Sequence, residues 1–217
     1  MLRRRYHKKE KAVGKAKGRK EADAPVRNGS GPERGFYLSA ENGFLKASSR
    51  YLLKETAVSF DASRSLCFTG HRVLSTTEAQ SLRERLPVIL EDFYQEGKSV
   101  FLSGGALGFD TLAALAVLQM RKKHPDIRLI LALPCLSQAD RWSEKDRTLY
   151  MRIKESADSF FYISDSYYPG CMQKRNRFLV ESADTCLCYM KQCRGGTWNT
   201  VSYAYDLHRT IINLASP

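Results

Sequence analysis

Apolar positions in this chain alternate between short runs and helical stripes. Residues 64–68 make a run of strand length, and residues 76–96 place Leu82, Leu86, Ile89, Leu90 and Phe93 on one side of a helical repeat. Gly97 follows as a C-terminal cap residue. The same order then recurs. Strands are predicted over 99–102, 127–133, 159–163, 185–189 and 210–214. Helices are predicted between them over 109–123, 139–157 (one or two helices), 172–182 and 199–207. Parallel neighbours need crossover connections, so six strands separated by helices predict an α/β fold. The expected architecture is a doubly wound, mostly parallel sheet of about six strands with helices on both faces.

Before residue 61 this pattern is lost. Residues 1–20 are a basic run with few large apolar side chains, and Asn28-Gly29-Ser30-Gly31-Pro32 reads as a linker. A short helix is predicted over 47–54 among scattered apolar residues. Residues 1–60 are thus expected to be a basic, largely disordered tail and linker, and 61–217 a ligand-binding domain.

Charge sharpens that division. Residues 1–58 hold 15 Lys/Arg and 6 Asp/Glu, so most of the net charge of +12 belongs to the tail. The tail reads either as a loose contact for a polyanion, nucleic acid included, or as a solvated extension. The six cysteines occur without a secretory signal and read as reduced thiols, which leads to an expectation of a cytoplasmic protein. No apolar run approaches the roughly 20 residues that span a bilayer, so no membrane span is expected.

In a doubly wound sheet, ligands sit beyond the carboxyl ends of the strands, near the point where strand order reverses. The residues that follow each predicted strand are therefore the candidates. Thr69, Gly70, His71 and Arg72 combine a hydroxyl, an imidazole and a guanidinium that suit a phosphate or ribose. The alternatives are a loop histidine and a surface arginine. The turn Ser103-Gly104-Gly105-Ala106-Leu107-Gly108 leads into a helix at Asp110. Its glycines allow either close approach of a ligand or merely a tight connection. Asp110 is placed to favour the helix dipole or to meet a ribose hydroxyl. Beyond the third strand stand Pro134, Cys135, Gln138 and Trp142, the last a base-stacking or packing side chain. Beyond the fourth, Lys174, Arg175, Asn176 and Arg177 put bases early in a helix, a conflict that an anionic ligand would relieve. Gly195, Gly196 and Thr197 form a second glycine turn into a helix, and two such turns are more specific than one.

Cys186, Cys188 and Cys193 lack the paired spacing of a zinc site, and no metal is expected. Cys186 and Cys188 share one face of a strand and read as buried small hydrophobes. Cys135 and Cys171 stand at strand ends and could line the pocket, with His71 as the base a catalytic thiol would need.

In order, Thr69-Gly70-His71-Arg72, Ser103-Gly104-Gly105-Ala106-Leu107-Gly108-Phe109-Asp110, Gln138 with Trp142, Arg175-Asn176-Arg177 and Gly195-Gly196-Thr197 resemble the YpsA-like family of bacterial proteins. The resemblance covers residues 64–217 and fails over the tail. It implies membership of a Rossmann-like group that includes DNA-processing protein A and the Lonely Guy phosphoribohydrolases. It also implies a nucleotide or nucleotide-derivative ligand, such as one containing ADP-ribose, bound by a sensor or regulatory module, and no particular reaction or cofactor. A homo-oligomer is compatible with it. Two alternatives follow from the wider group. One is a hydrolase of an N-glycosidic or phosphoester bond. The other is a single-stranded DNA-binding or processing protein. For the first, Met172-Gln173-Lys174-Arg175 is similar to the hydrolase motif, but Gln173 replaces its His and Ser202 stands where a Glu is expected. Asp110, Glu144 or Glu181 would have to supply the carboxylate, although Glu181 also reads as an ion-pair partner of Arg177.

Overall fold

The computed structural model describes residues 60–215. The predicted helix over 47–54 and the tail lie outside the described residues. A short 3₁₀ turn at Ala62–Arg64 leads into β1 (Ser65–Gly70), α1 (Thr76–Gln95), β2 (Val100–Ser103), α2 (Phe109–Met120) and β3 (Arg128–Leu133). There follow α3 (Glu144–Ser156), β4 (Ser159–Tyr162), α4 (Cys171–Glu181), β5 (Thr185–Tyr189), α5 (Gly195–Asp206) and β6 (Thr210–Asn213). All six strands are parallel, in the order β4-β3-β2-β1-β5-β6. The chain winds outward from β1 to β4, then returns to the other side of β1 for β5 and β6. The reversal opens a crevice between the carboxyl ends of β1 and β5.

Side-chain alternation along the strands divides the core in two. Leu66, Phe68, Phe101, Leu129, Leu131 and Leu187 meet α1, α2 and α3 on one face. Cys67, Leu102, Ile130, Cys186 and Cys188 meet α4 and α5 on the other. The helices therefore cover both faces, and Cys186 and Cys188 are the buried small hydrophobes that their spacing predicts. Phe68, Phe101 and Phe109 are fully buried and mutually packed, each worth about 1.5–3 kcal/mol of transfer energy. Phe60, just ahead of the expected domain start, packs edge-on against Phe178.

Four boundaries differ from the sequence reading by two residues or more, and the others by at most one. β1 continues through Thr69 and Gly70, because both pair with β5. α2 ends at Met120, and 121–123 form turns. α3 starts only at Glu144, after Ser143 caps it, and 139–142 are turns. α5 starts at Gly195 rather than Asn199, so the glycine pair lies in its first turn. No helix among the described residues is long and apolar enough to cross a membrane.

Candidate functional site

The carboxyl edge of the sheet gathers most of the expected residues, through contacts that sequence spacing does not show. Gly70 is small because Phe109 lies against it: a Cβ there would come within 2.5 Å of the Phe109 side chain. His71 joins three segments. Its N–H donates to Tyr189 O at 3.2 Å, and its carbonyl accepts the Phe109 N–H at 3.1 Å. Its Nε2 accepts the Lys191 N–H at 2.9 Å, so that nitrogen carries no proton. The imidazole thus braces the β5–α5 loop. Arg72 is exposed at the rim, with Nη2 3.9 Å from Met172 Sδ.

The β2–α2 turn is buried. Ser103 Oγ accepts the Gly105 N–H at 3.2 Å. Gly105 and Gly108 adopt φ of +61° and +75°, a region in which L side chains are strained. A side chain at Gly108 would also overlap the His71 and Arg72 carbonyls. Gln138 holds the turn from β3's side, its Nε2 donating to Gly105 O at 2.8 Å and Gly104 O at 3.3 Å. Trp142 is half-buried and packs edge-on against Tyr150, with ring centroids 5.3 Å apart.

Arg175 is the centre of the arrangement. It rises from the second turn of α4, is 4% exposed, and donates through Nη1 to Gly104 O. Its guanidinium fills the space that a side chain at Gly104 would need. Nε donates to Asn176 Oδ1 at 2.7 Å, Asn176 Nδ2 donates to Thr200 Oγ1 at 2.8 Å, and Thr200 Oγ1 donates to Gly196 O at 2.8 Å. This series of bonds ties the buried turn to the start of α5. Thr200 was not singled out by sequence, although its place four residues after Gly196 is the available signal.

Asp110 shares this interior. Burial pushes its carboxyl up to about 6, against the pull of the Arg175 and Arg72 charges and of the Ala106 and Gly104 amides. The same burial lowers Arg175 from its ordinary value, and the Asp110 charge opposes that shift. Of the three carboxylates considered, Asp110 alone stands beside Arg175. Glu144 is exposed in the first turn of α3. Glu181, at the far end of α4, accepts the Tyr203 hydroxyl at 2.5 Å. Arg177 lies over the Tyr203 ring, its Cζ 5.4 Å from the ring centroid, and no ion pair joins it to Glu181 among the described residues.

The helix starts differ in a consistent way. α1 and α3 begin with Ser75 and Ser143, whose hydroxyls accept the first-turn amides of Glu78 and Asp146. α2, α4 and α5 begin at Gly108, Gly170 and Arg194 with no side-chain cap. Gly195 and Gly196 are exposed, with no atom within 4 Å of where a Cβ would lie. Thr197 and Trp198 follow in the same turn, Trp198 exposed. Cys135 and Cys171 are both buried near this edge. Among the described residues, no three His, Cys, Asp or Glu side chains cluster as a metal ion would require. A separate groove of about 330 Å³ runs between α1 and the ends of β5 and β6, lined by Glu78, Arg85, Tyr189 and Leu214, and none of the expected site residues enters it.

The YpsA family model, described as the YspA SLOG family, matches residues 67–209. The chain belongs to this family. The match spans every strand-end motif described above. The SPbeta prophage-derived protein YoqJ of Bacillus subtilis is 29% identical over 136 residues, covering 57% of this chain and 80% of that protein. A UPF0398 protein of Halalkalibacterium halodurans is 34% identical over 105 residues, covering 48% of this chain. The chain spans only 56% of that relative's length. Among solved structures, DNA processing protein A from Helicobacter pylori, described with a single-stranded DNA binding mode, superposes with a TM-score of 0.51 at 16% identity. That alignment covers 70% of this chain and 66% of the other. The Streptococcus pneumoniae protein of the same name gives a TM-score of 0.51 at 18% identity, covering 69% of this chain and 49% of its own. These likenesses establish the fold as Rossmann-like, as the resemblance implied.

Proposed function

We propose that the chain binds a nucleotide or nucleotide derivative, such as an ADP-ribose-like molecule, at the β1–β5 crevice and acts as a sensor or regulatory module. One observation carries this reading. The starts of α2, α4 and α5 lack side-chain caps, while those of α1 and α3 are capped by serine. Free first-turn amides and the positive end of the dipole suit a phosphate. Because Arg175 occupies the space at Gly104, the phosphate belongs at the open start of α5, with Thr197 and Asn176 nearby and Arg72 at the rim. Asp110, buried, and Gln138, half-buried, shape the inner wall.

The test is to incubate the full chain with ADP-ribose, NAD, AMP and cyclic nucleotides, following thermal stability and then products by chromatography. A ligand at about 100 times its Kd adds roughly 2.7 kcal/mol. Stabilisation without turnover, abolished by Arg175→Ala and roughly halved by Gly196→Asp, is the expected result. Turnover would replace the sensor with the hydrolase alternative, in which Asp110 is the carboxylate to mutate.

A second reading, binding of single-stranded nucleic acid, has its own support. Tyr167, Tyr168 and Trp198 are exposed at the same edge, close in sequence to Lys174 and Arg194. Bases stack on such side chains while cations track the phosphates. The Helicobacter pylori neighbour's described binding of single-stranded DNA agrees with it. If no small nucleotide stabilises the protein, binding of oligothymidine is measured next. Loss on Trp198→Ala would place binding on the folded edge. Loss only when the tail's Arg3, Arg4, Arg5, Lys8 and Lys9 are neutralised would place it on the tail, with a steep salt dependence.

A further inference from the structure

The layer formed by α1, α2 and α3 presents a surface ill suited to water. α2 lies between the other two helices, and its one ionisable residue, Asp110, is buried. Its outward stripe of Thr111, Leu112, Leu115, Leu118 and Gln119 carries no charge. Leu115 is 37% exposed, Leu112 and Leu118 are half-buried, and Val88 of α1 and Met151 of α3 are exposed. A helix on the surface of a soluble domain normally turns charged groups outward. α4, on the opposite face, does so with Lys174, Arg177 and Glu181. The flanking helices also differ in sign. Acids outnumber bases four to two in α1, and bases outnumber acids four to three in α3.

We propose that two copies of this chain associate through the α1–α2–α3 layer, about a two-fold axis running along α2. The uncharged leucine stripe then meets its own copy, as an isologous interface requires. The same axis lays α1 of one copy over α3 of the other. Exposed acids such as Glu84 then face exposed bases such as Arg152, giving an apolar centre with a complementary charged rim. The carboxyl-edge crevice lies off this layer and stays open in both copies.

Sedimentation equilibrium of the full chain, from about 1 to about 200 µM, measures the association. A dimer is expected. Leu115→Lys should raise its dissociation constant about tenfold or more, with circular dichroism unchanged and the melting temperature unchanged at concentrations where both proteins are monomeric. Leu115→Gln serves if the lysine variant is poorly folded. Glu84→Lys and Arg152→Glu should each weaken the dimer, and the two together should restore it. A monomer at every concentration overturns the proposal. So does a dimer indifferent to both Leu115 variants. A dimer that responds to Leu115 but is not restored by the charge swap overturns the two-fold arrangement.

Discussion

At the β2–α2 turn, the space that a side chain would need at Gly104 holds the Arg175 guanidinium. At the start of α5, the space beside Gly195 and Gly196 is open. The two stretches look alike in sequence, and each carries adjacent glycines before a helix. Their glycines answer to different neighbours. In the first, every glycine is explained by the protein's own packing: Gly104 by Arg175, Gly105 by its φ and Leu133, and Gly108 by the His71 carbonyl. In the second, Gly195 is explained by its φ of +78°, while packing explains nothing at Gly196, and the ligand proposed above would supply a reason by approaching the α5 amides. On the proposed reading, glycine-rich turns in such sheets divide into those that admit a side chain of the protein and those left open to something from outside.

The largest test of this contrast is a pH series on the closed turn. Asp110 titrates at about 6 in the fold, above its ordinary 3.8. Its contribution to stability is therefore fully present below pH 4 and is lost as the pH rises through 6. Asp110→Asn should gain on the wild type by about 2 kcal/mol between pH 4 and pH 7 in denaturant titrations. Glu78 and Glu91, each held down at about 2 (by Lys191 and His124 respectively), act in a different window. Their contributions are present above pH 4.5 and lost toward pH 2. A flat difference between variant and wild type across pH 4 to 7 would remove Asp110 from the buried site.

Next in size, Gly104→Ala should cost about 2 kcal/mol, because the methyl group must displace Arg175. An unchanged melting temperature would show the turn to be looser than described. At the open turn the same kind of change should act on ligand rather than on fold. Gly196→Asp meets no atom, and its carboxylate sits at a helix start, so the protein should gain about 0.3–1 kcal/mol. Affinity for an anionic nucleotide should meanwhile fall by about tenfold, a loss of about 1.4 kcal/mol read by calorimetry. If affinity survives, the anion does not sit on α5. The smallest effect belongs to Gly196→Ala, a gain of under about 1 kcal/mol in stability. Its affinity for ligand should drop only where the backbone itself is approached closely.

Much of the fold was legible. The alternation of apolar runs and helical stripes fixed six strands, and the small paired cysteines of β5 lay where their two-residue spacing placed them. The site was legible as a list of residues but not as an arrangement. Gly104 and Arg175 are 71 positions apart, and no local pattern relates them. His71 read as a ligand group or a loop histidine, and the Lys191 amide that occupies its Nε2 comes from 120 residues away. Trp142 packs on Tyr150, which no spacing rule marked. The start of α5 was placed late because glycines weigh against a helix locally, whereas its first turn follows a short loop after β5 that the Lys191–His71 bond braces.

The Gly104–Arg175 contact also bears on how the family can vary. A methyl group at 104 and a guanidinium at 175 cannot share one space. A lineage that loses the glycine must therefore shorten or redirect the arginine, and one that loses the arginine frees position 104 to take a side chain. Among relatives, the two positions should change together, and chains with only one of the pair altered should be rare. Through the bonds of Asn176 and Thr200, the same history should reach Gly196.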